Sequence, residues 1–199
     1  MRDKEAGILA LDGYLALHDL LGEERWLQAA MQAATYVETW TYAWPVPVVA
    51  NDPASECPAG RDQTGLSLIA VGHSGADNFM AYCPFDFFRL YVKTGQKHFL
   101  NVARFLLHNT KQGMDWDSAH PLGYRFPGLQ TEVGTVCSPR GHSIWLWLAW
   151  VTVDSVVPMS QLQDVYGSMD VDALAAQTLT ELRTRDQAYA NTRGYQPAP

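Results

Sequence analysis

Residues 64–98 read TGLSLIAVGHSGADNFMAYCPFDFFRLYVKTGQKH and mix polar side chains with apolar helical periodicity more densely than any other stretch of the chain. Ser74, followed three positions later by Asp77, has the form of a helix N-cap with an acid in the first turn, where the helix dipole favours negative charge. A helix is therefore predicted to start near Gly75. Beyond it Phe79, Met80, Tyr82, Phe87, Phe88, Leu90 and Tyr91 are too many apolar residues for one narrow stripe, so this helix is expected to be covered on most sides. Pro84 must kink or divide it, because proline lacks the N–H and crowds the preceding turn. Lys93-Thr94-Gly95 supplies the stop, Gly95 being suited to the left-handed position after a last turn.

Upstream, residues 5–21 show the apolar spacing of an amphipathic helix through Ile8, Leu11, Leu15, Leu20 and Leu21, ended by Gly22. Residues 24–42 predict a second helix, which packs through Trp26, Leu27, Ala30, Ala33, Ala34 and Val37. A shift of 73 positions lays Tyr14, Leu17, Gly22, Trp26, Leu27 and Ala30 on Phe87, Leu90, Gly95, Phe99, Leu100 and Ala103. Two helical hairpins with tight glycine turns are implied. Downstream, Arg140–Val153 is a hydrophobic run of helix length whose Val/Thr-rich end also allows a buried strand. A last helix is expected from Ser168 to about Ala190.

The stretches 43–73 and 111–139 are rich in proline and turn formers and read as long connections, the first with a short helical turn near Leu66–Val71. In a run of antiparallel helices alternate connections share one end. Since Gly22 and Gly95 sit at one end, both long connections belong at the other, where function is sought.

At 199 residues and 47% hydrophobic content, the expectation is one α-helical domain over 1–190 with a flexible tail over 191–199. A net charge of −7 without any Lys/Arg cluster argues against nucleic acid and anionic membrane surfaces as partners. The N-terminal apolar residues recur at helical spacing, so neither a signal peptide nor a membrane span is expected. Cys57, Cys83 and Cys137 are far apart and cannot all pair, which favours a reducing, cytoplasmic setting.

The long-connection face gathers carboxylates, imidazoles and flat rings, the set that sugar binding and glycoside cleavage require. Asp77 and Glu132 are the candidate catalytic carboxylates, with His73 assisting. His73 and Asp77 are four apart and share a helix face if the turn continues through Gly75. Glu132, in PGLQTEVG, has small and apolar neighbours that would desolvate its carboxyl and raise its pKa, as a general acid needs. Trp44, Trp116, Asp117, His120, Tyr124, Arg140 and His142 are the candidate substrate-binding residues. Plainer roles stand beside these: Asp77 as a first-turn acid, Glu132 as a surface loop residue, Arg140 and His142 as helix-entry residues. Zinc ligation by His73, Cys57, Cys83, Cys137 or Glu132 lacks any C-x2-C or H-x3-H pair, so no metal and no cofactor is expected.

The segments TGQKHFLNVARFLLHNT, LGEERWLQAAMQAATYVETW and GHSGADNFMA resemble six-hairpin glycosidases, the (α/α)6-barrel group that includes unsaturated glucuronyl hydrolases and bacterial beta-L-arabinofuranosidases. The resemblance spans about residues 5–155 and implies an all-α fold, helical hairpins of an α/α toroid, cleaving an oligosaccharide, one bearing uronic acid among the options, in a pocket at the long-loop end. The adjacent Cys pair of the zinc-dependent members is not present, so their mechanism is not carried over. Six hairpins need on the order of 300 residues or more, and this chain supplies about half of such a barrel. A half toroid leaves apolar helix edges that a homodimer would cover. The alternatives from other classes are a non-catalytic helical module that binds carbohydrate or protein, and an inactive portion of a larger enzyme.

Overall fold

The computed structural model describes residues 3–44, 64–68, 70, 75–109, 133–135 and 149–193, without the side chains of 75, 76, 109, 133–135 and 149–152. These residues are mostly helical. Helix α1 spans Lys4–Leu21, α2 Glu24–Glu38, α3 Pro84–Thr94, α4 Lys97–Asn109, α5 Ala149–Tyr166, α6 Val171–Ala175 and α7 Leu179–Arg193. Short strands β1 (Ser67–Leu68), β2 (Gly75–Asp77) and β3 (Val133–Thr135) form one antiparallel sheet in the order β1-β2-β3.

The paired hairpins follow from their turn chemistry. Gly22 (φ 66°) and Gly95 (φ 74°) both take the left-handed conformation, each donating its N–H back to a carbonyl of the last turn, His18 and Tyr91 respectively. Asp3 caps α1 by accepting the Ala6 N–H at 2.8 Å. Within the first hairpin α1 and α2 approach closely at Gly7, where an added Cβ would lie 2.6 Å from the Tyr36 ring.

Helix α3 is the centre. Every residue from Pro84 to Val92 is buried, as its apolar excess predicts. Lys4 of α1 meets Asp77 just before α3, and Asp19 meets Arg89 and Lys93, so α1 and α3 run the same way. Helix α5 runs with them, Asp154 lying by Tyr82 and the Tyr166 ring packing on Phe85 and Phe88. Helix α7 runs opposite: Arg183 donates to the Val92 carbonyl, Asp186 meets Arg89, and Arg193 reaches Asp12. Its narrow stripe of Leu182, Asp186 and Ala190 lies against α1, α3 and α5.

Several expectations need correction. Gly75–Asp77 is a strand, not the first turn of a helix, so His73 and Asp77 do not share a helix face. Helical structure begins later, as a 3-10 helix over Phe79–Tyr82, and Pro84 divides it from α3 by occupying the first turn, where its missing N–H costs nothing. Ser67–Leu68 is likewise a strand and not a helical turn. Helix α2 stops at Glu38, because residues 40–42 turn to pair with 65–68 through Leu68 N–H to Trp40 O and Tyr42 N–H to Leu66 O, both 2.9 Å.

The C-terminal third also differs. Residues 154–166 continue α5, although the β-branched run and the buried Pro158 read against a helix; packing on the 3-10 helix, α3 and α7 overrides that weak preference. The expected single last helix is two. Asp170 caps α6, and Thr178 with Glu181 makes a reciprocal capping box that starts α7 afresh. Residues 191–193, assigned to the tail, are the last turn of α7.

Candidate functional site

The sheet lies where the two long connections meet. β1 closes the first connection, β2 follows it, and β3 comes from the second, with Asp77 paired to Val133 and to Ser67 on its two sides. Isolated bridges tie Thr41 to Ser67 and Asp3 to Ala70, so the start of α1 and the end of α2 join the same end of the bundle.

Asp77 is the anchor of this end. It is 6% exposed, and its Oδ2 lies 2.5 Å from Nζ of Lys4, which is fully buried. Its Oδ1 accepts from Ser67 Oγ at 3.0 Å and from the Phe79 backbone N–H at 3.1 Å. The ammonium also sits 5.8 Å from the Phe79 ring centroid. Both carboxylate oxygens are thus engaged, and an acid/base cycle at Asp77 requires separating it from Lys4. The partners hold β2, the 3-10 helix and α1 together, as a buried charge pair does when its remaining valences are satisfied.

Among the other expected site residues only Trp44 is described, and its ring is 71% exposed. His73, Trp116, Asp117, His120, Tyr124, Glu132, Arg140 and His142 lie outside the described residues. The residue after Glu132, Val133, is the one paired with Asp77.

Two features of this end were not read from the sequence. Asn78 is 2% exposed and neither of its amide atoms has a hydrogen-bond partner. Burial and the nearby carboxylate of Asp154 raise the Tyr82 hydroxyl above its ordinary range. Cys83, beneath them, is fully buried, and burial pushes its thiol well up, which makes it an inert packing residue.

Deeper in the bundle lies a larger charge cluster. Arg89 is fully buried and donates from Nε to Asp186 at 2.8 Å and from one terminal nitrogen to both oxygens of Asp19 at 2.8 and 2.9 Å. Lys93 bridges the same two carboxylates at 3.0 and 2.8 Å, and Tyr166 donates its hydroxyl to Asp186 at 2.8 Å. Burial alone would raise Asp186, but Arg89 and Lys93 hold its carboxyl below the ordinary range. Two cations face two anions here, which is a neutral clasp between α1, α3 and α7. The sequence signal was available in Arg89 and Lys93, which with Asp86 are the charged residues of a largely apolar helix. Among the described residues no cluster of His, Cys, Asp and Glu is suited to a metal ion, and no helix is long and apolar enough to cross a membrane.

No family model matches the sequence, and no curated protein or solved structure matches it either.

Proposed function

We propose that the chain is a carbohydrate-recognising helical domain of α/α-toroid type, about half of an (α/α)6 barrel, which binds an oligosaccharide at the end bearing the long connections. The observation that carries this reading is the β1-β2-β3 sheet: it knits the two long connections together at the end where α1 and α3 begin. The two glycine-turned hairpins, with α1, α3 and α5 running the same way, are the arrangement that a toroid repeats. Exposed Trp44 offers a stacking ring at that end, of the kind the apolar face of a sugar requires. The edges of the helical row, Leu9 on α1 and Val156 on α5, are exposed at 71% and 50%, which supports pairing with a second copy.

Binding is favoured over hydrolysis because Asp77 is committed to Lys4, Ser67 and the Phe79 amide. Hydrolysis is the second reading, and what supports it is that Asp77 pairs with Val133, the residue that follows Glu132 in sequence. The discriminating experiment sets the wild type beside Glu132→Gln on a broad panel of glycosides and on a glycan array. Glycan binding without sugar release supports the module. Sugar release lost in Glu132→Gln supports the hydrolase. Neither binding nor release contradicts both.

A further inference from the structure

Where α2 ends, residues 38–43 and one face of α4 line a cleft of about 420 Å³, within the range of about 300–1,000 Å³ typical of small-molecule sites. Its two walls differ in chemistry. Val102, Phe105 and Leu106 of α4 give an apolar wall, and Glu38, Thr41 and His98 a polar one. His98 Nε2–H donates to Glu38 Oε2 at 2.7 Å, linking α4 to α2 across the cleft. That bond fixes the imidazole orientation and leaves Nδ1 for another partner, the arrangement in which a carboxylate presents a histidine to a ligand.

Two further oxygens lack partners. Glu38 and Thr41 line the cleft, and their Oε1 and Oγ1 are buried without a hydrogen-bond partner, although buried polar atoms are nearly always paired. Burial also raises the Glu38 carboxyl, and His98 only partly reverses this. The site is held firmly, since Thr41 is bridged to Ser67 of β1.

We infer that this cleft is a separate binding site for a small neutral molecule that carries hydroxyl donors along one edge and an apolar face on the other. Among the described residues no Lys or Arg lines it, so an anion finds no counter-charge there. His98 already occupies Glu38, so a cation gains little. A neutral hydroxyl supplies the donor that Glu38 Oε1 and Thr41 Oγ1 lack once a side-chain rotation turns them toward the cleft, and the CH face of a ring packs on Val102 and Phe105. The inference is independent of the carbohydrate reading of the sheet end.

The probe is methyl β-D-glucopyranoside, titrated into the full chain with residue-resolved NMR, beside glucuronate and glucosamine as charged controls. Shifts are expected at His98, Val102 and Phe105, with the neutral glycoside binding at least tenfold more tightly than either control. Glu38→Gln, which replaces an acceptor by a donor, should weaken binding at least tenfold. Thr41→Val, which keeps the side-chain shape, should weaken it severalfold and serves if Glu38→Gln does not fold. The inference is overturned if no neutral probe shifts these residues, if a charged control binds better, or if whichever variant folds binds as the wild type does. Shifts confined to residues 75–82 and 133–135 report the β2–β3 pair and also overturn it.

Discussion

Lys4 and Asp77, separated by 73 positions, form a buried ion pair that closes the start of the first hairpin onto the start of the second. The same offset relates the two hairpins, so the pair locks one repeat unit to the next. Removing one partner of a buried pair leaves an uncompensated charge, which costs about 3–5 kcal/mol. Lys4→Met and Asp77→Asn are each expected to lower unfolding stability by roughly this amount in urea titrations, and the double variant by less than their sum. A catalytic Asp77 without this structural role would instead lose activity at unchanged stability.

Arg89 holds Asp186 through Nε and Asp19 through a terminal nitrogen, a rigid planar fork that a lysine at position 89 would not supply. Arg89→Met should cost about 3–5 kcal/mol, and Arg89→Lys should recover only a minor part of it. The chemical-denaturation midpoints of the two variants measure this.

Asp86 is buried beside the clasp, and burial, reinforced by Asp12, raises its carboxyl to about 7 from an ordinary 3.8. Asp12 and Asp19 face it from α1, Arg193 from α7 and Arg89 from its own helix, the two arginines opposing the rise. Because the folded state keeps this proton longer than the unfolded chain, the group's contribution is full below pH 4 and is lost as pH rises to about 7. The loss is on the order of 4 kcal/mol for such a shift. Asp86→Asn should remove this decline, leaving a flatter stability profile between pH 4 and 7.5 than the wild type shows.

At Gly7 a methyl group would meet the Tyr36 ring at 2.6 Å and Val37 Cγ2 at 2.9 Å. Gly7→Ala improves helix propensity by up to about 1 kcal/mol, yet overpacking should reverse the sign and destabilise by about 1–3 kcal/mol. Gly13→Ala on the same helix meets nothing and should stabilise, so melting temperatures of the two variants separate packing from propensity.

The hairpins were legible because local chemistry and packing agree in them: Gly22 and Gly95 both stop a helix and suit a left-handed turn, and the apolar excess of α3 matches its complete burial. The meeting of the two long connections followed from their alternation alone. What the sequence did not disclose are features set by distant partners. Ser74 to Asp77 has the composition of a helix cap, but pairing with 67–68 and 133–135 makes residues 75–77 a strand. Val-rich residues 154–157 and Pro158 disfavour a helix locally, while tertiary contact imposes one. The Thr178–Glu181 box is a readable start signal inside the stretch 168–190 that was assigned to one helix. Of the candidate site, Asp77 was read as a catalytic carboxylate and is found in a buried ion pair, whose partner Lys4 carries no sequence mark that distinguishes it from a surface lysine.

The central proposal, oligosaccharide recognition at the sheet end, is tested most directly by backbone hydrogen exchange with and without the best-bound glycan from an array. Slowed exchange is predicted at residues 65–68, 75–82 and 133–135, with α6 and α7 unchanged. Failure of every glycan to bind, or protection confined to helices away from this sheet, would contradict it.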